Sequence, residues 1–381
     1  MRAALEKSRT CSVSSQNMAK KLPQLDAVRG IAIILVLLVN TSEKYPELHW
    51  EHLVGNGWMG VDLFFVLSGF LITGILLDAK NSPEYFKNFY ARRALRILPL
   101  YYAVLLFMFV AVPLLRPSEA HTVFAKSSPW WAYPFFLQNF LVAVPTMAAG
   151  PLGVSWSLAI EEQFYLVWPM VVRYCSTATL RRITVSAIVI APALTFYLSS
   201  HHIQTYSNVF CRMVGLMAGA LLAVMTRSEN YQPSLFVKRV WILFAVTLAA
   251  AFASEDLGAR WFAYTMVALA AASFIFLALY SPQKWLQAAL LRNRFLIYSG
   301  QISYGLYMLH KIPFDMAQSF HLDRHFAIAL PLIFAGAYAL ATLSWKLLER
   351  PFLNLKRFFV TEPSEPSDLR EPLATASLLQ N

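Results

Sequence analysis

Charge is scarce in this sequence, and so is cysteine. Only 14% of the 381 residues are charged, whereas 57% are hydrophobic. The three cysteines, Cys11, Cys175 and Cys211, are scattered, so they form neither a disulfide framework nor a metal-ligand spacing. No internal repeat is visible, which argues against a transporter built from two inverted halves. What remains is a chain dominated by long apolar stretches.

These apolar stretches predict a polytopic membrane protein with an all-α, helical-bundle fold. Each stretch is long enough to cross about 30 Å of hydrocarbon as a helix. We predict about ten spans and one further segment, 129–149, that is re-entrant or interfacial. The spans are predicted near residues 25–42, 58–77, 97–115, 152–172, 183–199, 209–226, 240–254, 261–280, 297–317 and 326–347.

Segment 129–149 is apolar enough for an eleventh crossing, but the distribution of lysine and arginine argues against one. Basic residues favour the cytoplasmic side of a membrane. With ten spans, the predicted cytoplasmic loops carry fourteen Lys and Arg residues, and the outer segments carry five. A crossing at 129–149 would move the basic loop 173–182 to the outside. Both termini are therefore predicted to be cytoplasmic, and 129–149 is expected to line a protein cavity.

The two ends of the chain are polar. The first two dozen residues have no apolar core ahead of a cleavage site, so we predict no cleaved signal peptide. Residues 358–381 are rich in Ser, Pro and Glu, which predicts a disordered tail. The predicted organisation is a cytoplasmic tail at 1–23, a transmembrane domain at 24–357 and a cytoplasmic tail at 358–381.

The first predicted span contains an arginine, Arg29, in an otherwise apolar helix. A charge at membrane depth costs about 2.5–3.5 kcal/mol on insertion scales, so Arg29 is expected to face a protein interior, a cavity or an anionic ligand. Asn40 follows eleven positions later. At about 100° per residue the two side chains share one helix face, with a rise of about 16 Å between them.

The net charge of +11 is explained mostly by basic residues in short loops between spans, so no nucleic-acid partner is expected. One cluster goes beyond this explanation, because Arg92, Arg93 and Arg96 fall within about one helical turn at the cytoplasmic mouth of the third span. They can converge on one anion, and guanidinium groups suit phosphate oxygens. The sequence leaves open whether this cluster binds phosphate or only anchors the topology.

Six short blocks stand out in order along the membrane region. They are Leu25–Gly30, Gly60–Ile72, Arg92–Pro99, Ser155–Leu166, Ile302–His310 and Glu349–Pro351. Together they resemble the membrane-bound acyltransferase 3 family, which acylates sugars and glycans at the cell envelope. One block alone is a weak signal, but six in order over about residues 24–352 are specific.

The resemblance implies about ten helices, a cytosolic acyl-CoA donor and an acceptor reached from the other face of the membrane. It implies an integral membrane O-acyltransferase that moves an acyl group, with acetyl expected, to a hydroxyl of an envelope sugar, polysaccharide or glycolipid. The implied location is the plasma (inner) membrane of a bacterium. No permanently bound cofactor or metal is expected. Because the chain ends soon after the tenth predicted span, we expect no appended esterase-like domain.

Asn40 departs from the family pattern, in which a histidine eleven residues after the arginine is taken as the catalytic base. An amide does not titrate, so Asn40 can position an acceptor hydroxyl or an acyl carbonyl but cannot remove a proton. Either another base serves, or the chain is a catalytically inactive relative that binds or moves an acylated lipid or glycan.

Glu162 and His310 are the candidate replacement bases. Glu161 and Glu162 point about 100° apart on the fourth predicted span, so at most one of them is expected to face a given cavity. The structural alternative is that one glutamate neutralises Arg29 or Arg212 while the other faces water near the re-entrant segment. His310 can titrate near neutral pH, although a lone histidine on an apolar helix is more often a hydrogen-bonded packing residue.

Three further positions have a structural explanation beside a functional one. Asp62 can cap the second span or pair with a cation. Ser68 and Gly69 favour close helix packing, since Ser68 has no base adjacent in sequence. Arg212 either pairs with a membrane carboxylate or lines the donor tunnel.

The predicted mechanism is direct transfer within a cleft among the first helices. The donor phosphates bind the cluster at Arg92, Arg93 and Arg96, with Arg212 as a further donor-binding candidate. Arg29 stabilises the negative charge that develops on the acyl group. Asn40 positions a reactant, and Glu162 or His310 removes the hydroxyl proton.

Overall fold

The structure is a computed structural model that describes residues 22–44, 55–115, 117, 128–141, 152–228, 231–319 and 326–359. Nearly all of both predicted tails therefore lies outside the described residues. Every regular element in these ranges is a helix, which confirms the all-α prediction. Eight helices of the described part are long and apolar enough to cross a membrane. The chain is an integral membrane protein, and the count of ten spans stays a prediction.

The helices that build the bundle are numbered here in chain order. They are α1 (Pro23–Lys44), α2 (Met59–Asp78), α3 (Tyr85–Leu106), α4 (Ser155–Tyr174), α5 (Thr177–Ser200), α6 (Val209–Thr226), α7 (Val237–Asp256), α8 (Arg260–Tyr280), α9 (Arg294–Gln301), α10 (Ser303–Leu309), α11 (Lys311–Ser319), α12 (Phe326–Ser344) and α13 (Arg350–Asn354). A π segment, Trp345–Glu349, joins α12 to α13, and a 3₁₀ turn, Leu355–Phe358, follows α13.

The third helix begins much earlier than the sequence predicts. α3 starts at Tyr85, whereas the predicted span starts at 97. Its first turns are too polar to register as a span, and side chains tie them to α4. The hydroxyl groups of Tyr85 and Tyr90 donate to the backbone carbonyls of Pro169 (3.0 Å) and Leu166 (2.9 Å). The arginine cluster therefore lies inside a helix that packs on α4, and its place at the cytoplasmic mouth of the span stays a prediction.

The ninth predicted span, 297–317, is three short helices, α9 to α11, rather than one. The pieces pack against different partners, α9 on α1 and α10 on α12. α9 lies so close to α1 that a Cβ on Gly30 would overlap the backbone of Leu296, and a Cβ on Gly300 would overlap that of Asp26. The span is interrupted because α9 packs on α1 whereas α10 packs on α12.

The described part of segment 129–149 consists of turns and short helices. A 3₁₀ turn covers Trp130–Ala132 and a short helix covers Gln138–Leu141, and neither is long enough to cross a membrane. α4 holds this part in place, because Gln163 Nε2 donates to the carbonyl of Phe136 at 2.8 Å. Residues 142–149 lie outside the described residues, so the re-entrant course of the whole segment stays a prediction.

Glycines bring α2 and α6 into backbone contact. A Cβ on Gly69 would overlap the carbonyl of Leu216, and a Cβ on Gly219 would overlap the carbonyl of Val66. Gly215 faces the side chain of Phe65 in the same interface. Small residues at helix interfaces in membranes allow such close approach, so the close packing predicted for position 69 is correct.

The topology is tested by labelling each end of α5, the helix from Thr177 to Ser200. We expect a cysteine at Ala178 to react with a membrane-impermeant maleimide only after cells are opened, because the arginines at 173–182 favour the cytoplasm. Both positions used here are exposed. A cysteine at His201 is the matched control and should react in intact cells. The three native cysteines are first replaced by alanine. Reaction at position 178 in intact cells would place 129–149 across the membrane.

Candidate active site

A cavity of about 110 Å³ lies among α1, α2, α3, α4 and α10. Its apolar wall comes mostly from α2, and its polar groups are of two kinds, charged and hydroxyl-bearing. The charged set contains Arg29, Arg93, Arg96 and Glu161. The hydroxyl-bearing residues at its surface are Ser68, Ser157, Tyr165, Ser303, Tyr304 and Tyr307. Five of the six sequence blocks contribute these polar side chains directly.

The positive end of this cavity is only partly neutralised. Arg29 Nη1 pairs with Asp26 Oδ1 at 2.7 Å, one turn away on the same helix. Arg93 and Arg96 form no ion pair with any carboxylate of the described residues, and Arg93 lies over the ring of Tyr165 at 5.7 Å. Both are close enough to Arg29 for mutual repulsion. Guanidinium groups suit anionic oxygens, so this cavity end has the charge and the donors that an anion would need.

A fourth cation, Lys356, joins this positive end and was missed by the sequence analysis. It lies in the 3₁₀ turn after α13, where it is half-buried while its neighbours are exposed. Its ammonium group lies within electrostatic range of the arginines on α1 and α3. Arg92 does not line the cavity, and its Nη1 donates to the carbonyl of Phe359 at 3.1 Å, which holds the turn against α3. In the sequence, the signal that could have identified Lys356 is its position shortly after the block Glu349–Pro351.

Of the two adjacent glutamates, Glu161 faces the cavity. Its Oε1 accepts a hydrogen bond from Ser68 Oγ at 2.9 Å, and its Oε2 accepts one from Tyr165 OH at 2.9 Å. Glu162 does not line the cavity, and its buried Oε1 has no hydrogen-bond partner among the described atoms. The expectation that only one glutamate faces the cavity is met, but the residue is Glu161 rather than the predicted Glu162.

The structural alternative, in which a glutamate neutralises Arg29 or Arg212, is wrong, because an aspartate pairs with each of these arginines. Arg29 pairs with Asp26, and Arg212 pairs with Asp62. The Arg212 Nη2 to Asp62 Oδ2 distance is 2.9 Å, and both side chains are fully buried. Five aromatic rings surround the Arg212 guanidinium at 4.3–5.8 Å, namely Trp58, Phe65, Trp156, Tyr206 and Tyr264. Arg212 is absent from the cavity wall, so its position supports ion pairing rather than donor binding.

Asn40 and His310 also lie away from the cavity. Asn40 Nδ2 donates to the carbonyl of Val36 in its own helix at 2.8 Å. His310 is fully buried between α10 and α11, and its Nδ1 is bonded to the carbonyls of Leu306 (3.1 Å) and Tyr307 (2.8 Å). Since carbonyls only accept, Nδ1 carries a proton. The geometry thus gives neither predicted residue access to a reactant in this cavity.

Two tyrosines of α10 hold that helix over the cavity. The sequence analysis did not identify them as site residues. Tyr304 OH donates to the carbonyl of Ile97 in α3 at 2.8 Å. Tyr307 OH donates to the carbonyl of Val154 at 3.0 Å and lies 2.6 Å from Ser157 Oγ. These contacts connect α10 with α3 and α4. No group of three metal-ligating side chains was found in the described ranges.

Fold and cavity together define an integral membrane protein whose helices enclose a cavity lined by three arginines and a glutamate. The chain belongs to the acyltransferase 3 family, since the model of that family, described as an acyltransferase domain, matches residues 22–348. The resemblance that the six blocks indicated is confirmed.

Relatives of this chain carry related names. A "Putative O-acetyltransferase" of Staphylococcus aureus (strain COL) is 25% identical, covering 87% of this chain and 57% of its own length. A "Putative peptidoglycan O-acetyltransferase" of Bacillus subtilis is 29% identical over 76% of this chain and 48% of that protein. A "Peptidoglycan O-acetyltransferase" of Listeria monocytogenes is 35% identical over 39% of this chain. The chain spans about half the length of the first two relatives. No solved structure matches.

Proposed function

We propose that this protein transfers an acyl group, with acetyl expected, from acyl-CoA to a hydroxyl of an envelope sugar, polysaccharide or glycolipid. The observation that carries this proposal is that one cavity joins three arginines to a carboxylate. The names of the relatives support an acetyl group and a peptidoglycan-like acceptor. The proposed location is the plasma membrane of a bacterium, with both termini in the cytoplasm.

The positive end of the cavity supports a phosphorylated donor. Arg93 and Arg96 lie within α3 and are close to Lys356 near the end of the described chain, and both regions are on the predicted cytoplasmic side. A CoA ester carries several phosphate charges, and guanidinium groups bind phosphate with paired hydrogen bonds. In this arrangement the phosphates bind the cations and the thioester points toward Glu161.

The carboxylate end of the cavity supports proton removal. Both oxygens of the half-buried Glu161 accept hydrogen bonds, so the carboxylate is held in place relative to a reactant. It accepts the proton of an attacking hydroxyl, which is the role predicted for Glu162 or His310. The nearby Arg29 stabilises negative charge on the acyl oxygen. Asn40 has no assigned step in this mechanism.

Changing Arg93 and Arg96 to glutamine should raise the donor KM strongly while correct membrane insertion is retained. Glutamine removes the charge but keeps a polar side chain, so phosphate binding is weakened before the helix is disturbed. Initial rates at varied acyl-CoA concentration check this. Lys87→Gln is the matched control, because Lys87 is a largely exposed cation on the same helix that pairs with Glu84 at 2.7 Å. Loss of membrane protein with unchanged donor affinity in the remainder would instead show a topological anchor.

A non-catalytic function is the second candidate, and the position of Asn40 favours it. The chain has an amide where the family pattern has its base, and this amide is bonded to its own helix. Such a protein would bind or move an acylated lipid or glycan through the same cavity. Purified protein incubated with labelled acetyl-CoA and envelope sugars separates the two. Formation of an acylated sugar supports transfer, and donor binding without product supports the binding protein.

A further inference from the structure

We propose that Ser68 carries the acyl group covalently, so that transfer proceeds in two steps through an ester on the Ser68 side chain. This inference rests on the proposed acyl transfer and adds a nucleophile to it. Ser68 lies near the middle of α2, at the cavity wall, and its Oγ donates to Glu161 Oε1 at 2.9 Å. The sequence analysis assigned Ser68 to helix packing. In the structure it forms a hydrogen bond with a carboxylate 93 residues further along the chain.

The hydrogen bond of Ser68 is unusual for a hydroxyl inside a helix. Serine and threonine in helices commonly donate to the carbonyl one turn earlier. Several buried hydroxyls here do so, including Thr247 with Leu243 and Ser273 with Leu269. Ser68 donates instead to a carboxylate on a different helix, and its side chain lines the cavity.

A third group orients the carboxylate, as an activated nucleophile requires. Tyr165 lies one turn after Glu161 on α4 and donates to its other oxygen, Oε2, at 2.9 Å. A nucleophile within hydrogen-bond reach of a base, with that base oriented by a third side chain, is the general pattern of covalent catalysis. Here the three members are Ser68, Glu161 and Tyr165, and all three line the cavity.

The packing of α2 fixes the direction of Ser68. Successive helix residues point about 100° apart. Gly69 is pressed against the Leu216 backbone of α6, so α2 cannot rotate without backbone overlap. Its neighbour Ser68 is therefore held toward α4 and the cavity. A nucleophile that needs no rearrangement before attack loses little entropy in the reaction.

The two steps balance as follows. Ser68 Oγ attacks the thioester carbon while Glu161 takes the hydroxyl proton; the C–S bond breaks, an O–C ester forms, and the proton passes to the CoA sulfur. In the second step the acceptor hydroxyl attacks the ester carbon and gives its proton to Glu161. The Ser68–acyl bond then breaks, and the proton returns to Ser68 Oγ. No oxidant, reductant or further reactant is consumed.

One cavity can serve both steps. Ser68, Glu161 and Tyr165 line the same cavity as the arginines. With a covalent carrier, CoA leaves before the acceptor arrives, and each reactant uses the cavity in turn. The cations on α1 and α3 serve the first step, and the carboxylate serves both.

Label exchange tests the carrier directly. Purified full-length protein in detergent is incubated with acetyl-CoA and radiolabelled free CoA, without acceptor. We expect label to enter acetyl-CoA, because the first step is reversible. Ser68→Ala should lower both exchange and transfer by at least about a thousandfold, the scale of losing a nucleophile. Ser273→Ala is the matched control, since it removes a buried helical hydroxyl outside the cavity, and should leave both rates unchanged.

A chemical trap gives a second measurement. Acid-quenched protein should yield a peptide containing Ser68 with the mass of one added acetyl group. If Ser68→Ala fails to accumulate, Ser68→Cys takes its place and should form a hydroxylamine-sensitive thioester at that position. Transfer without exchange and without the acetylated peptide would overturn the carrier and leave the proposed function standing. Absence of transfer, exchange and trapped peptide in the wild type would overturn both.

Discussion

Replacing Glu161 with glutamine should lower turnover by about a hundred- to ten-thousand-fold, the loss typical of a missing general base. Glutamine keeps the size of the side chain and one accepting oxygen, but it cannot take a proton. Donor affinity should be retained, because the cations that bind the donor are unchanged. Initial rates and equilibrium binding of labelled acyl-CoA, both measured on purified protein, check the two parts separately.

Glu162→Gln is the matched control for this prediction. It makes the same chemical change at the adjacent position, which does not line the cavity. Its effect on turnover should be far smaller than that of Glu161→Gln. A greater loss of turnover for Glu162→Gln or His310→Ala than for Glu161→Gln would show that the general base is one of the residues predicted from sequence.

Replacing Asp62 with asparagine should cost about 3–5 kcal/mol of stability, because it leaves the buried charge of Arg212 without its partner. Neither side chain is exposed, and the Nε and Nη1 atoms of Arg212 have no other hydrogen-bond partner in the described part of the chain. Five surrounding rings offer cation–π attraction, which recovers only part of the lost ion pair. Thermal unfolding of the detergent-solubilised protein measures the effect.

Two variants calibrate this result. Glu255→Gln breaks an ion pair whose arginine, Arg260, is 73% exposed, and should cost about 1 kcal/mol or less. The double change Asp62→Leu with Arg212→Met removes both buried charges and should be less destabilising than either single change. Equal stability of Asp62→Asn and wild type would show that Arg212 does not depend on this carboxylate.

The sequence predicted the strongly apolar helices well. The sixth predicted span, 209–226, coincides with α6, which is a continuous apolar helix. Hydropathy does not indicate where a helix is interrupted by tertiary contacts. The breaks at Ile302 and His310 therefore went unpredicted, and so did the early, polar start of α3 at Tyr85.

The sequence predicted part of the cavity wall. Arg29, Arg93 and Arg96, which were predicted as site residues, share one cavity. The choice between Glu161 and Glu162 depends on the rotation of α4 about its axis, and a pattern of residues does not fix that rotation. Ser68 was assigned to packing because its base is distant in sequence. Only the fold shows that this base is adjacent.

The glycine contacts between α2 and α6 also decide which wall can open to admit a substrate. Close backbone contact at Gly69 and Gly219 holds these two helices firmly together. α10 is bounded by two breaks and packs on α12, and on the side of α3 and α4 it is held by the hydroxyl groups of Tyr304 and Tyr307. Such hydrogen bonds break and re-form one at a time. We therefore expect α10 to act as the gate, hinged at its ends, while the helix bearing the nucleophile stays still throughout the catalytic cycle.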